Sequence, residues 1–317
     1  MRGNVRSQQG GALVRAERVP LGAGNLRGIA AMVVATAVFT CGDASMKLVS
    51  GSLPTGECVF VRGLCSALLV GAAAVWTGAI LALPRAFVPA MGWRCAGDVG
   101  SSLFFQGALA RMPFADLMGI LQMTPLSLTA ASALFLGEQV GWRRWTAVAI
   151  GLGGALLVIK PGASTFNAWA VFGMLAVLSG TARDIATRRL DAGLSPLLIL
   201  ALSQLAVAGA AFACASFERW ATPSAYQLLH LICASVFSLI GHLCVIYSLR
   251  SGEISAVAPF RYVGMVWAIL LGFAVWHQLP DALSFAGIVV LASAGLYTFY
   301  REQQLRRLQV LRAALPH

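Results

Sequence analysis

The chain has 317 residues, is 58% apolar by the AVILMFWYC count, only 11% charged, and carries a formal net charge of +11. Its mean hydropathy is +0.78. A soluble domain is about 25% charged, so this balance excludes an ordinary water-soluble globule. It also excludes a nucleic-acid-binding domain, because the arginines flank apolar runs instead of gathering in a patch.

In chain order, residues 1–27 form a basic tail without apolar periodicity. The run after it is too long for a cleaved signal segment and reads as a first span. Breaks at charges, Pro and Gly then give ten candidate helices, at about 29–49, 57–78, 95–111, 114–136, 144–160, 168–188, 194–217, 226–249, 255–276 and 282–300. Residues 303–317 form a second basic tail. With ten spans, most loop and tail arginines fall on one side of the membrane, which places both termini in the cytoplasm. The seven cysteines, with no CxxC spacing, read as apolar packing residues and not as disulfides or metal ligands.

Sliding the chain by about 140 residues aligns Asp43-Ala-Ser-Met-Lys47 with Asp184-Ile-Ala-Thr-Arg188, Ala108-Leu-Ala-Arg111 with Tyr247-Ser-Leu-Arg250, and Gly154-Ala-Leu-Leu with Ala294-Gly-Leu-Tyr. An offset of five helices puts the two copies in opposite orientations. The expected fold is therefore an all-α polytopic membrane protein of two inverted five-helix repeats, residues 28–162 and 163–302. Secondary transporters are recurrently built this way.

Phe39-Thr-Cys-Gly-Asp-Ala-Ser-Met-Lys47, Arg62, Pro125, Leu136-Gly-Glu138, Gly141-Trp-Arg-Arg-Trp145, Lys160-Pro-Gly162 and Ala258-Pro-Phe-Arg-Tyr262 carry a resemblance. In their order and spacing they resemble the EamA-like branch of the drug/metabolite transporter superfamily, over roughly residues 28–302. The likeness implies passage of a small metabolite by alternating access, without covalent chemistry or a cofactor, in a bacterial inner membrane. Export is the expected direction, and import of a vitamin or nucleotide-like metabolite the alternative. The second half departs from the pattern at His277-Gln278, where a second Gly-Glu pair would stand.

Ionisable residues inside spans are costly and need a reason. Asp43, Arg62 and Asp116 are expected to close the outer mouth, and Asp98, Asp184 and Arg261 the inner one. Gln106, Gln122, Tyr247 and Tyr262 are candidate orienting groups in a mostly apolar cavity. The i,i+4 spacing also allows plain pairing of Asp43 with Lys47 and of Asp184 with Arg188, while snorkelling suffices for Lys47, Glu57 and Arg188. Asp43 and Asp184 are candidates to carry a coupled proton, a counter-substrate being the other option. Gly137-Glu138 is expected to close span 4, with Glu138 meeting Arg143 or Arg144. Pro125 and Pro259 are expected to remove backbone donors inside spans. His230 and His242 read as satisfied core histidines. An intramembrane enzyme is disfavoured, since neither HExxH nor GxSxG occurs.

Overall fold

The computed structural model describes residues 23–135, 141–160, 167–191, 193–251 and 257–314. Among them there are twelve α-helices, two 3₁₀ segments and no strand. The α-helices are α1 Ala23–Ser50, α2 Thr55–Trp76, α3 Leu83–Ala86, α4 Pro89–Leu109, α5 Phe114–Leu121, α6 Thr124–Phe135, α7 Trp142–Ile159, α8 Trp169–Thr187, α9 Pro196–Ala215, α10 Ala225–Ser251, α11 Val263–Trp276 and α12 Ala282–Ala314. The 3₁₀ segments are Ala79–Ala82 and Ala258–Tyr262.

Seven stretches are long and apolar enough to cross a membrane: Gly24–Ser50, Thr55–Trp76, Phe114–Phe135, Pro196–Ala215, Ala225–Ser248, Pro259–Trp276 and Ala282–Arg301. The more polar α4, α7 and α8 are helical where spans 3, 5 and 6 were expected, but do not meet the same criterion. Large apolar side chains such as Leu68, Phe212, Leu229, Leu270 and Leu283 lie exposed. Such a surface suits hydrocarbon, not water.

Two ends are defined by contacts between helix termini. At one, which we call the Lys160 end, Asn167 Nδ2 donates to the Arg111 carbonyl at 3.1 Å, Gln227 Nε2 donates to Ser52 Oγ at 2.8 Å, and Lys160 pairs with Asp281. At the other, the Arg188 end, Arg94 Nη1 donates to Thr187 Oγ1 at 2.8 Å and Arg188 Nη1 to Ser132 Oγ at 3.2 Å. The main core includes Val49, Leu109, Phe114, Leu117, Ile120, Val158 and Ala170, all toward the Lys160 end. That end is packed shut with apolar side chains.

The most extensive helix contacts are α1 with α10, α4 with α8, α2 with α9, and α7 with α12. A glycine sits at the close approach of each. A Cβ on Gly42 would lie 3.3 Å from Phe237 Cβ, one on Gly63 3.2 Å from the Ala208 nitrogen, one on Gly97 2.7 Å from the Arg183 nitrogen, and one on Gly154 2.9 Å from the Gly287 carbonyl oxygen. Small residues let backbones approach where lipid supplies no hydrophobic drive between helices.

The stretch expected as one span at 114–136 is two helices. Pro125 occupies the first turn of α6, where a missing N–H costs little. The carbonyl that it leaves without an amide partner, that of Leu121, instead accepts from Thr124 Oγ1 at 2.7 Å. Pro259 likewise falls in the first turn of the Ala258–Tyr262 segment. Both prolines thus open helical segments inside candidate spans, and at Pro125 the lost donor frees a carbonyl that a neighbouring hydroxyl satisfies, as expected. His277 ends α11 with φ 53°, and its N–H donates to the Phe273 carbonyl at 2.9 Å, as in an αL closure. The expected Gly137-Glu138 motif lies outside the described residues. Helix α12 runs on to Ala314, so the C-terminal tail begins as a continuation of the last span.

Candidate functional site

Helices α1, α2 and α10 enclose a small polar cavity lined by Phe39, Gly42, Asp43, Met46, Arg62, Ala234 and Ser238. Gly42 brings α10 close enough for the cavity to be narrow. Asp43 faces it from α1 and Arg62 from α2, and Arg62 also lies within electrostatic reach of Asp98 on α4. Neither Asp43 nor the Arg62 guanidinium forms an ion pair within 4.0 Å among the described residues. The Arg62 backbone is fixed from α10, since its carbonyl accepts from Ser235 Oγ at 3.0 Å. His242 stacks edge-on against Phe39 with ring centroids 5.0 Å apart, and its Nδ1 is 2.7 Å from the Ser238 carbonyl oxygen. An arginine and a carboxylate thus face one cavity of about 30 Å³, room for a water molecule, with no ion partner for either among the described residues.

The neighbouring cluster is closed. Arg183 of α8 donates through Nη1 to Asp98 Oδ1 at 3.1 Å and through Nε to Asp184 Oδ1 at 2.9 Å. Arg183 was passed over as a site residue although it adjoins Asp184, and it is the centre of this cluster. A gap of one residue from a known acidic position was the available signal. Its backbone packs directly on α4 because Gly97 carries no Cβ.

Several expected partners are different. Lys47 does not pair with Asp43: its ammonium donates to the carbonyls of Leu109, at 2.9 Å, and Met112, and lies 5.7 Å from the Trp276 ring centroid. Three residues along a helix, carbonyls left over at the end of α4 offer a cation more than a single carboxylate does. Asp184 takes Arg183 as ion partner, while Arg188 reaches Ser132. Glu57 does not snorkel: it is fully buried, and its Oε2 accepts from the Ala221 N–H at 3.0 Å.

The two expected mouths do not assemble as drawn. Asp116 sits at the Lys160 end facing Lys160, Ser284 and Asp281, apart from Arg62. Arg261 is exposed, and Asp98 and Asp184 pair instead with Arg183. The Tyr262 hydroxyl presses on Gly295 of α12 and is buried without a partner. Gln106 is buried on α4, its Nε2 unpartnered. Gln122 marks the α5–α6 break, and Tyr247 is exposed on α10. His230 Nδ1 lies 2.9 Å from the Tyr226 carbonyl oxygen. Among the described residues no group of three His, Cys, Asp or Glu is placed to hold a metal.

Residues 167–300 match the EamA-like transporter family. The chain is 29% identical over 269 residues to the pseudopaline exporter CntI of Pseudomonas aeruginosa, covering 84% of this chain and 94% of that one. It is 24% identical over 288 residues to an S-adenosylmethionine uptake transporter of Rickettsia prowazekii, covering 88% and 94%. A solved crystal structure of 18% sequence identity shares the fold, with a TM-score of 0.60 over 88% of this chain and 98% of the other. The chain is thus an integral membrane protein whose residues 167–300 match the EamA-like transporter family, and which is similar along most of its length to bacterial transporters.

Proposed function

We propose that the chain is a secondary transporter of a small metabolite, working by alternating access across a bacterial inner membrane and exporting its substrate. The observation that carries this reading is the pair Asp43 and Arg62, facing one cavity without ion partners. Both are half-buried, and unpaired charges within a membrane span are costly unless something completes them. A metabolite with both a carboxylate and a cationic group does so, the carboxylate on Arg62 in a two-pronged contact and the cation at Asp43. Of the two relatives matched over 94% of their length, the more similar, at 29% identity against 24%, is named an exporter and the other an uptake transporter; the higher identity is what supports export. The relatives are named as transporters and not enzymes, which supports the absence of covalent chemistry.

Ten spans in two inverted repeats, residues 28–162 and 163–302, underlie this cycle in our reading, with both termini cytoplasmic. The helix pairs support it. If α1 corresponds to α8, α2 to α9, α4 to α10 and α7 to α12, exchanging the halves turns the α1–α10 contact into the α8–α4 contact. The same exchange returns α2–α9 and α7–α12 to themselves. That is the contact pattern of a pseudo-two-fold axis. Asp43, not Asp184, is the better proton carrier, because Asp184 is already engaged by Arg183.

Purified protein in liposomes, supplied with a panel of amino-acid-like metabolites, tests the proposal. Wild type should move at least one of them, and Arg62→Gln should abolish that movement while Arg85→Gln leaves it intact. Equal movement of neutral and charged solutes by wild type, or full activity of Arg62→Gln, would overturn it.

A further inference from the structure

A second open space lies away from the Asp43 and Arg62 cavity, between α7 and α12. The two helices cross tightly where Gly154 meets Gly287: a Cβ on Gly287 would lie 2.5 Å from the Gly154 carbonyl oxygen. Toward Trp142 and Tyr297 they part, leaving a groove of about 500 Å³. Its floor is apolar, with Ala147, Ile150, Val289 and Ala294, and Arg143 and Thr146 stand nearer its mouth. The lining runs from Trp142 to Ile150 on α7 and from Val289 to Tyr297 on α12, about 12 Å along each helix at 1.5 Å per residue.

The mouth has the composition of a membrane–water interface. Trp142, Trp145, Tyr297 and Tyr300 are all exposed there, as aromatic belts are. Arg143 is exposed and sits 5.4 Å from the Trp142 ring centroid. Arg144 follows it, with a buried Nε that has no partner. Arg301 lies one helical turn beyond Tyr297 on α12. An apolar trough that ends in arginines at headgroup depth complements a molecule with hydrocarbon chains and a negative head.

We propose that the groove between α7 and α12 holds an anionic phospholipid, its phosphate against Arg143 and an acyl chain along Ala147, Ile150, Val289 and Ala294. The site rests on the chain being a membrane protein and does not depend on the substrate reading, since none of its residues lines the Asp43 cavity. An arginine at this depth draws anionic over zwitterionic lipid by about 1 kcal/mol, about a fivefold preference.

Native mass spectrometry of the full chain, equilibrated in mixed micelles of phosphatidylglycerol and phosphatidylethanolamine, measures this directly. Wild type should retain phosphatidylglycerol about fivefold over phosphatidylethanolamine. Arg143→Gln should bring that ratio to near one, and Arg85→Gln, outside the groove, should not. Ala294→Phe should reduce retention of both lipids. If it unfolds the protein, Arg143→Gln alone decides. Equal retention by wild type, an unchanged ratio in Arg143→Gln, or a lipid-free dimer in place of a lipid-bound monomer would overturn the site, the last by assigning the groove to a second copy.

Discussion

Two helix crossings that occupy corresponding places in the proposed repeats handle buried charge in opposite ways. Where α4 meets α8, Gly97 permits a tight approach, and Arg183 is clasped by Asp98 and Asp184. Where α1 meets α10, Gly42 permits a looser approach, and Asp43 faces Arg62 across a cavity with no ion pair. An arginine shared between two carboxylates holds helices together. An arginine left open beside one carboxylate holds nothing in the protein and is available to something that enters. Spacing and residue type alone therefore do not separate an architectural charge from a functional one; the partner does.

This contrast predicts unequal effects of matched substitutions. Arg183→Gln should be the most damaging to the fold, at about 3 kcal/mol, because it strands Asp98 in a buried site. Thermal unfolding in detergent reads the loss, and an unfolding temperature equal to that of wild type would make the cluster dispensable. Arg62→Gln should leave unfolding unchanged but weaken ligand binding by about tenfold or more, on the scale of a lost charge-assisted hydrogen bond. Calorimetric titration with a transported metabolite measures it, and a large fall in stability would move Arg62 into the architectural class.

The glycines sharpen the same comparison. Gly97→Val should cost about 1–3 kcal/mol by overpacking against the Arg183 backbone, whereas Gly42→Ala, with 3.3 Å to its nearest neighbour, should cost less. Chemical denaturation of the two variants gives the order. The smallest effect concerns an exposed ion pair outside the spans. Lys160, helped by the Ser284 N–H, holds the Asp281 carboxyl below its ordinary range. Its contribution is present above the unfolded carboxylate value near 3.9 and is lost as pH falls through the lower folded value. Asp281→Asn, which keeps the helix cap to Ser284, should be slightly less stable than wild type at pH 7. The two unfolding temperatures should converge on acidification below about pH 4.

Much of the fold was legible because hydrocarbon demands long apolar stretches and satisfied backbones, and both leave marks in a sequence. The helices lie about where the charge-free runs, prolines and glycines place them. The site was less legible. The i,i+4 rule favoured Asp43 with Lys47, but a tertiary partner, the open carbonyls at the end of α4, captured the lysine instead. Arg183 is legible as a charge inside a span, but its role depends on Asp98, 85 residues away. Nothing in local spacing announces such a partner. The burial of Glu57 depends on the α9–α10 loop folding back over α2, again a fact of tertiary structure.

The joint between α5 and α6 carries a consequence of its own. Most interruptions in a membrane helix leave a carbonyl looking for water, but Thr124 closes this one from within, so the chain can change direction there without a leak of solvent into the bilayer. The halves on either side are moored differently. α5 is seated among apolar side chains, whereas α6 is tied to α8 by Ser127 with Thr181 at 2.6 Å and by Ser132 with Arg188. Oil-seated and polar-tethered segments loosen under different conditions, so water admitted from the Arg188 end would slacken α6 while leaving α5 in its seat. A single span thus behaves as an anchor spliced to a lever.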